Sequence, residues 1–220
     1  MRQTDYLKYI NYSFTQDSDL FKVNTDTTVL GMFLDRMDQK SVLDIGTNTG
    51  ALLLYAHARG AKQLIGVDIH QEALSLAREN LKAYSNDFTL YHSYIQDLKL
   101  DPVDVIICNP PFYEVGDVRM NKYYQTAMYE KTMPLNDMFS AFRRYLKDNG
   151  CVYTLYPAER FPELYQAILT YKFKIMKMQF VHDEKRPYAS RVVLKLKIGK
   201  MTKLKVNKPI MIRGGEIELS

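Results

Sequence analysis

From Ser41 onward, short apolar stretches alternate with segments whose apolar residues recur at helical spacing. Strands are predicted at Ser41–Ile45, Gln63–Asp68, Phe88–His92, Val103–Cys108 and Cys151–Tyr156. Helices are predicted from about Gly50, over Gln71–Tyr84, near Leu135–Lys147 and near Glu159–Tyr171. Such alternation builds βαβ units, so the expected class is α/β with a mostly parallel sheet and helices on both faces. Val103-Asp104-Val105-Ile106-Ile107-Cys108 is almost wholly apolar, as a central strand covered on both sides must be. Two late strands, Lys174–Val181 and Arg191–Ile198, have only a turn-like segment between them, so they are expected to pair antiparallel. Tyr12 to Val23 reads as an irregular or hairpin-like lead-in.

The chain has 220 residues, 46% apolar and 25% charged, enough for one generous domain with a real core. No repeat or linker divides it. The expected organisation is a single unit over 1–220: a lead-in at 1–40, a core at 41–200 and a basic C-terminal extension at 201–220. No apolar run approaches the ~18 residues of a membrane helix, and the first residues lack a secretory apolar region. The expectation is a soluble, cytoplasmic protein, a monomer without membrane association. The two cysteines are too few for a disulfide framework or zinc cluster, and no metal is expected. Charge is polarised: from Lys172 onward 13 Lys and Arg face 4 Asp and Glu, whereas the first 171 residues hold 17 against 21. That tail suits a polyanionic partner, or is simply a solvated lysine-rich surface.

Val42-Leu43-Asp44-Ile45-Gly46-Thr47-Asn48-Thr49-Gly50 joins a buried strand to a helix start, where glycines let backbone approach a ligand and free N–H groups face it. The spacing differs from the pyrophosphate-binding fingerprint. An acidic residue at the strand end repels pyrophosphate and welcomes an ammonium group, so Asp44 favours an amino-acid-bearing cofactor. Asp68 closes the next strand, 22 residues after Gly46, where a carboxylate accepts from both hydroxyls of a ribose; capping the following helix is the competing role. Asp97 follows the third strand, in place to take the exocyclic amine of an adenine, or merely to face solvent.

Asn109-Pro110-Pro111-Phe112 follows the central strand directly, at the carboxyl edge of the sheet beside the glycine turn. Consecutive prolines cannot continue a sheet ladder, so the backbone leaves the sheet stiffly. The Asn109 side-chain oxygen and the Pro110 carbonyl oxygen can then hold both hydrogens of an exocyclic amine, with its lone pair aimed at an electrophile. Phe112 can stack on the base. None of the four histidines has motif context.

These residues resemble those of class I S-adenosylmethionine-dependent methyltransferases, and NPPF resembles the branch that methylates amino groups. The resemblance covers roughly Phe21 to Ile198. It implies a Rossmann-like fold with a seven-stranded sheet whose last strand is antiparallel. It further implies a cofactor site at Asp44, Gly46, Thr47, Asn48, Gly50, Asp68, Ile69, Asp97 and Asn109, and catalysis at Asn109, Pro110, Pro111 and Phe112. One departure is Asn48, which stands where the family has its middle glycine and must adopt a positive φ. The segments Phe21 to Thr27 and Pro110 to Glu114 are similar to those of bacterial tRNA(Val) adenine-37 N6-methyltransferases. The implied activity is methylation of adenine N6 in RNA, most simply adenine 37 of tRNA(Val). Alternatives are an rRNA or DNA base, a protein glutamine amide, or an inactive cofactor-binding protein. In the RNA reading, Lys172, Lys174, Lys177, Lys185, Arg186, Arg191 and Lys195 meet phosphates and Tyr188 stacks on a base.

Overall fold

The computed structural model describes residues 1–20, 22–112, 133–200 and 203–219. Phe21, Tyr113, Glu114 and the segment 116–132 with Tyr123, Tyr124 and Tyr129 lie outside the described residues. Strands β1 (Arg2–Leu7) and β2 (Tyr12–Asp17) form an antiparallel hairpin. There follow α1 (Thr25–Phe33), β3 (Ser41–Ile45), α2 (Ala51–Ala58), β4 (Gln63–Asp68), α3 (Gln71–Lys82), β5 (Phe88–His92) and β6 (Val103–Cys108). The rest comprises α4 (Leu135–Tyr145), β7 (Leu146–Pro157), α5 (Phe161–Thr170), β8 (Phe173–Asp183), β9 (Ala189–Ile198), β10 (Lys205–Val206), β11 (Ile210–Arg213) and β12 (Glu216–Leu219).

The main sheet runs β12-β11-β8-β9-β7-β6-β3-β4-β5, with β10 pairing β8. Strands β3 to β7 are mutually parallel, and β9 lies antiparallel between β7 and β8. These seven strands are the expected Rossmann-like set with its antiparallel last member. The sheet is nevertheless wider than seven strands, because the C-terminal segment adds β10 and β11 parallel to β8 and folds β12 back on β11. Residues 205–219 are therefore part of the sheet rather than a basic appendage.

Strand β6 sits mid-sheet and buries Val103, Val105, Ile106, Ile107 and Cys108, as its apolar run demands. On α3 the buried Ala73, Leu74, Ala77 and Leu81 recur at helical spacing. Helix α1 has weak local propensity, with three threonines, a valine and a glycine in nine residues. It forms because Asn24 caps it, its Oδ1 accepting from Thr27 N at 3.0 Å, and because its Gly31 packs against α2. A Cβ on Gly31 would stand 2.4 Å from the Tyr55 ring, which is itself fully buried.

The hairpin is tied to the core rather than trailing from it. Asn80 on α3 accepts from Thr15 N at 2.7 Å and donates to the carbonyls of Thr15 and Thr49, both at 3.0 Å. Tyr12 stacks on Tyr84 with centroids 4.0 Å apart. One buried carboxamide thus joins the hairpin, α3 and the turn that opens α2. Among the described residues, no helix is long and apolar enough to cross a membrane.

Candidate active site

The turn between β3 and α2 is built from left-handed residues: Gly46 at φ 74°, Asn48 at φ 49° and Gly50 at φ 84°. Asparagine is one of the few side chains that tolerate this region, so the missing middle glycine does not prevent the turn. Gly46 N and Thr47 N both donate to Val67 O, at 2.9 and 3.1 Å, which fastens the turn to the end of β4. Gly66 lets the two approach, since a Cβ there would lie 2.8 Å from Thr47 Cγ2.

Asp68 completes the fastening. Its Oδ2 accepts from Asn48 N at 2.8 Å, and its Oδ1 accepts from His70 N at 3.0 Å and from His70 Nδ1 at 2.9 Å. An ionised carboxylate offers about four lone-pair directions, so three are already used and one remains on Oδ2. The expectation that Asp68 grips two ribose hydroxyls is thereby narrowed to one strong acceptor position. The helix-capping alternative is also displaced: the residue at the N-cap of α3 is His70, and Asp68 reaches only as far as that residue.

A cleft opens at the carboxyl edge of the sheet between this turn and the end of β6. Gly46, Thr47, Asn48, Asp68, Ile69, Asn109 and Pro111 line it together, so the structure brings seven of the expected site residues into one cavity. Asp44 and Gly50 lie behind that wall: Asp44 is fully buried, and a Cβ on Gly50 would touch Ala77 at 3.3 Å. Two expectations shift. Asp97 is exposed and stands outside the lining, because the turn closed by Asp97 N donating to Tyr94 O carries it past the cleft; Ser93, Tyr94, Ile95 and Gln96 form the wall instead. Pro110 is buried, and Phe112, 9% exposed, packs inward beneath the Arg191 guanidinium rather than facing the cleft.

Sequence reasoning missed His70, which lines the cleft while holding Asp68, as well as Val23 and Thr27 from the α1 end. The signal for His70 was its place two residues after the strand-ending aspartate. Apolar walls come from Ile45, Leu52, Val67 and Met133.

Among the described residues, three polar groups here are buried without a hydrogen-bond partner: both Asp44 oxygens, Thr47 Oγ1 and Asn109 Oδ1. Most buried polar atoms in a native fold are satisfied, so such a concentration around one cleft points to a polar ligand. Burial pushes the Asp44 carboxyl up to about 7; the nearby Thr47 hydroxyl pulls the other way and the Asp68 charge adds to the rise. The folded chain therefore keeps this proton between about pH 3.8 and 7 while the unfolded chain releases it. The group's contribution to stability is complete below that window and is lost as pH rises through it. We expect the melting temperature of the ligand-free protein, relative to Asp44→Asn, to fall as pH is raised from about 4 to about 7. Parallel melting curves across that range would show that Asp44 is not held protonated.

The basic tail is partly neutralised inside the fold. Asp35 takes Lys177 at 2.6 Å and Lys195 at 2.8 Å, and Asp26 takes Arg191 at 3.1 Å. Burial alone would raise the Asp35 pKa, but the two lysines hold it at about 2. These three cations are internal partners, not the open phosphate contacts expected of them. Lys172, Lys185 and Arg186 remain exposed, with Tyr188 beside the last two. Among the described residues no cluster of three or more His, Cys, Asp and Glu is placed to hold a metal.

The sequence signature of the methyltransferase small domain matches residues 12–178. A tRNA1(Val) (adenine(37)-N6)-methyltransferase of Dyadobacter fermentans is 31% identical over 163 residues, covering 72% of this chain and 68% of that protein. In fold the chain is similar to the ribosomal protein L11 methylase of Lactobacillus delbrueckii subsp. bulgaricus, at TM-score 0.63 and 22% identity over 84% of each chain. It is also similar to the T. thermophilus 16S rRNA N2 G1207 methyltransferase in complex with AdoMet and guanosine, at TM-score 0.64 and 19% identity, over 90% of this chain and 50% of that one. With a strand-turn-helix cleft of this geometry and a signature spanning most of its length, the chain belongs to the methyltransferase small domain family.

Proposed function

We propose that this chain is an S-adenosylmethionine-dependent methyltransferase acting on the exocyclic N6 of an adenine in tRNA, and that its target is adenine 37 of tRNA(Val). The observation that carries the reading is Asn109 Oδ1, buried and without a partner among the described residues, in the same cleft as the glycine turn. The relative from Dyadobacter fermentans, which carries that activity in its name, supports the choice of base and RNA.

The cleft fits the cofactor on its own chemistry. Behind the turn, the buried Asp44 carboxyl with the Thr47 hydroxyl beside it suits an ammonium group, whose arrival would favour the ionised carboxylate. Asp68 keeps one acceptor position for a ribose hydroxyl, and Ile69, Ile95 and Leu52 offer apolar surface to a purine. When bound, the cofactor supplies an electrophilic methyl group on a sulfonium sulfur. The chain's own task is then positioning. Asn109 Oδ1 accepts one N–H of the target amine, and the Pro110 carbonyl oxygen is the proposed acceptor for the other. An amine held in this way turns its lone pair out of conjugation and toward the cleft. No general base is required, since the proton can leave to water after transfer. A nucleotide in an RNA loop costs less to extract than a stacked, paired one, which favours a loop adenine.

The test is nucleoside mass spectrometry of tRNA and rRNA incubated with the purified chain and S-adenosylmethionine. N6-methyladenosine in a tRNA fraction is expected. N2-methylguanosine in rRNA, or a methyl group on protein glutamine with none on RNA, overturns the reading.

A further inference from the structure

Phe112 ends the Asn-Pro-Pro-Phe segment, and two arginines from distant parts of the chain hold it. Arg191 on β9, opposite Pro157 in the register, lays its guanidinium 4.6 Å from the centroid of the Phe112 ring. Its Nε donates to Asp26 Oδ2 at 3.1 Å and its Nη1 to the Ser190 carbonyl at 3.0 Å. Arg160, in the single helical turn after β7, points Nη1 at the Phe112 carbonyl at 3.4 Å and is itself paired to Glu163. Tyr156 meets the Phe112 ring edge-on, with centroids 6.3 Å apart. Ring and carbonyl are thus both gripped immediately after Pro111, which lines the cleft.

Asp26 and Arg191 are each only 16% exposed. A buried ion pair of this kind is about neutral for stability once desolvation is counted, so stability alone gives little reason for it. Its location gives a better one. Asp26 lies in the first turn of α1, next to Thr27, which lines the cleft. The pair therefore ties three things together: the α1 end of the cleft, strand β9 and the segment that carries Asn109.

We propose that Asp26 and Arg191 form a positioning pair, which pins the ring of Phe112 and so fixes the Asn109 carboxamide against the cleft. The proposal rests on the reading of Asn109 as the amine-holding residue. Arginine is needed because a planar guanidinium can stack on the ring while its edge meets the carboxylate; an ammonium keeps the charge and loses the stack.

The test compares Arg191→Lys, Arg191→Met and Asp26→Asn with the unaltered chain, at saturating tRNA and cofactor. The expected result is a kcat lower by about tenfold in each, with KM for S-adenosylmethionine within about twofold and Arg191→Lys the least affected. A fluorine label on the Phe112 ring, read by NMR without RNA, should shift or broaden in all three; Arg191→Lys, which keeps the ion pair, should melt close to the parent, whereas Arg191→Met and Asp26→Asn, each leaving one buried charge unpaired, should melt lower. Unchanged kcat and an unchanged fluorine signal in Arg191→Lys and Asp26→Asn overturn the proposal, even if Arg191→Met does not fold. If the unaltered chain fails to methylate tRNA, the proposed function falls, and the fluorine signal still decides whether the pair pins Phe112.

Discussion

Replacing Asn109 by alanine is expected to lower the rate of methyl transfer by more than ~100-fold while leaving affinity for S-adenosylmethionine within about twofold. The two halves of this result have separate causes. Among the described residues Asn109 Oδ1 is a buried acceptor without a partner, so what enters the cleft can satisfy it. If that is the target amine, the bond matters most when the nitrogen attacks, and its loss falls on kcat. The glycine turn, Asp68 and His70 hold one another through bonds that do not involve Asn109, so the cofactor side of the cleft is left intact. A third readout separates this residue from an ordinary core asparagine. Removing an unsatisfied buried acceptor relieves a desolvation cost, so the ligand-free variant should melt no lower than the parent. Single-turnover transfer of a labelled methyl group, calorimetric cofactor binding and thermal melting check the three parts. A variant that transfers methyl at the parent rate removes the amine-holding mechanism.

The parts of this molecule that the sequence discloses are those governed by local period and local turn chemistry. Gln63–Asp68, Phe88–His92 and Val103–Cys108 coincide with the strands observed, because an apolar run or alternation bounded by turn residues leaves little freedom of register. The turn at Gly46 to Gly50 and the break at Pro110 were equally plain, since each imposes its own backbone. Helix α1 was not visible: Thr27, Thr28, Val29 and Gly31 all weaken a helix, and only burial against α2 secures it. Strands β11 and β12 were hidden because they are short: Glu216-Ile217-Glu218-Leu219 does alternate, but four residues at the edge of the sheet are too few to set a strand period apart from a polar loop.

At the site, sequence spacing located the ends of strands but not the direction of side chains. That is why Asp97 could be placed near the cleft and its neighbours Tyr94 and Gln96 passed over. The charge of the tail misled in a similar way. Lys177, Lys195 and Arg191 find their carboxylates 142 to 165 residues earlier in the chain, a separation at which no pattern reveals the pairing. A count of charges cannot tell a phosphate-binding surface from a set of internal ion pairs; only the fold makes the distinction.

Asp68→Ala should weaken binding of S-adenosylmethionine by about a hundredfold or more. Hydrogen bonds to a charged group contribute about 1.5 to 3 kcal/mol each, and about 1.4 kcal/mol is a factor of ten. A single ribose hydroxyl on the remaining Oδ2 position accounts for roughly tenfold or somewhat more. The further loss comes from the turn, since alanine also frees Asn48 N and both His70 donors. Asn48, at φ 49°, then has less to hold it in a conformation that costs energy for a residue with a side chain. The two contributions can be separated with a cofactor analogue lacking the ribose hydroxyls. In the parent chain that analogue should bind at least tenfold more weakly than S-adenosylmethionine, whereas in Asp68→Ala the two should bind about equally, because the acceptor they compete for is gone. If the analogue is penalised as heavily in the variant as in the parent, the ribose is held elsewhere, and Asp68 serves only to brace the glycine turn.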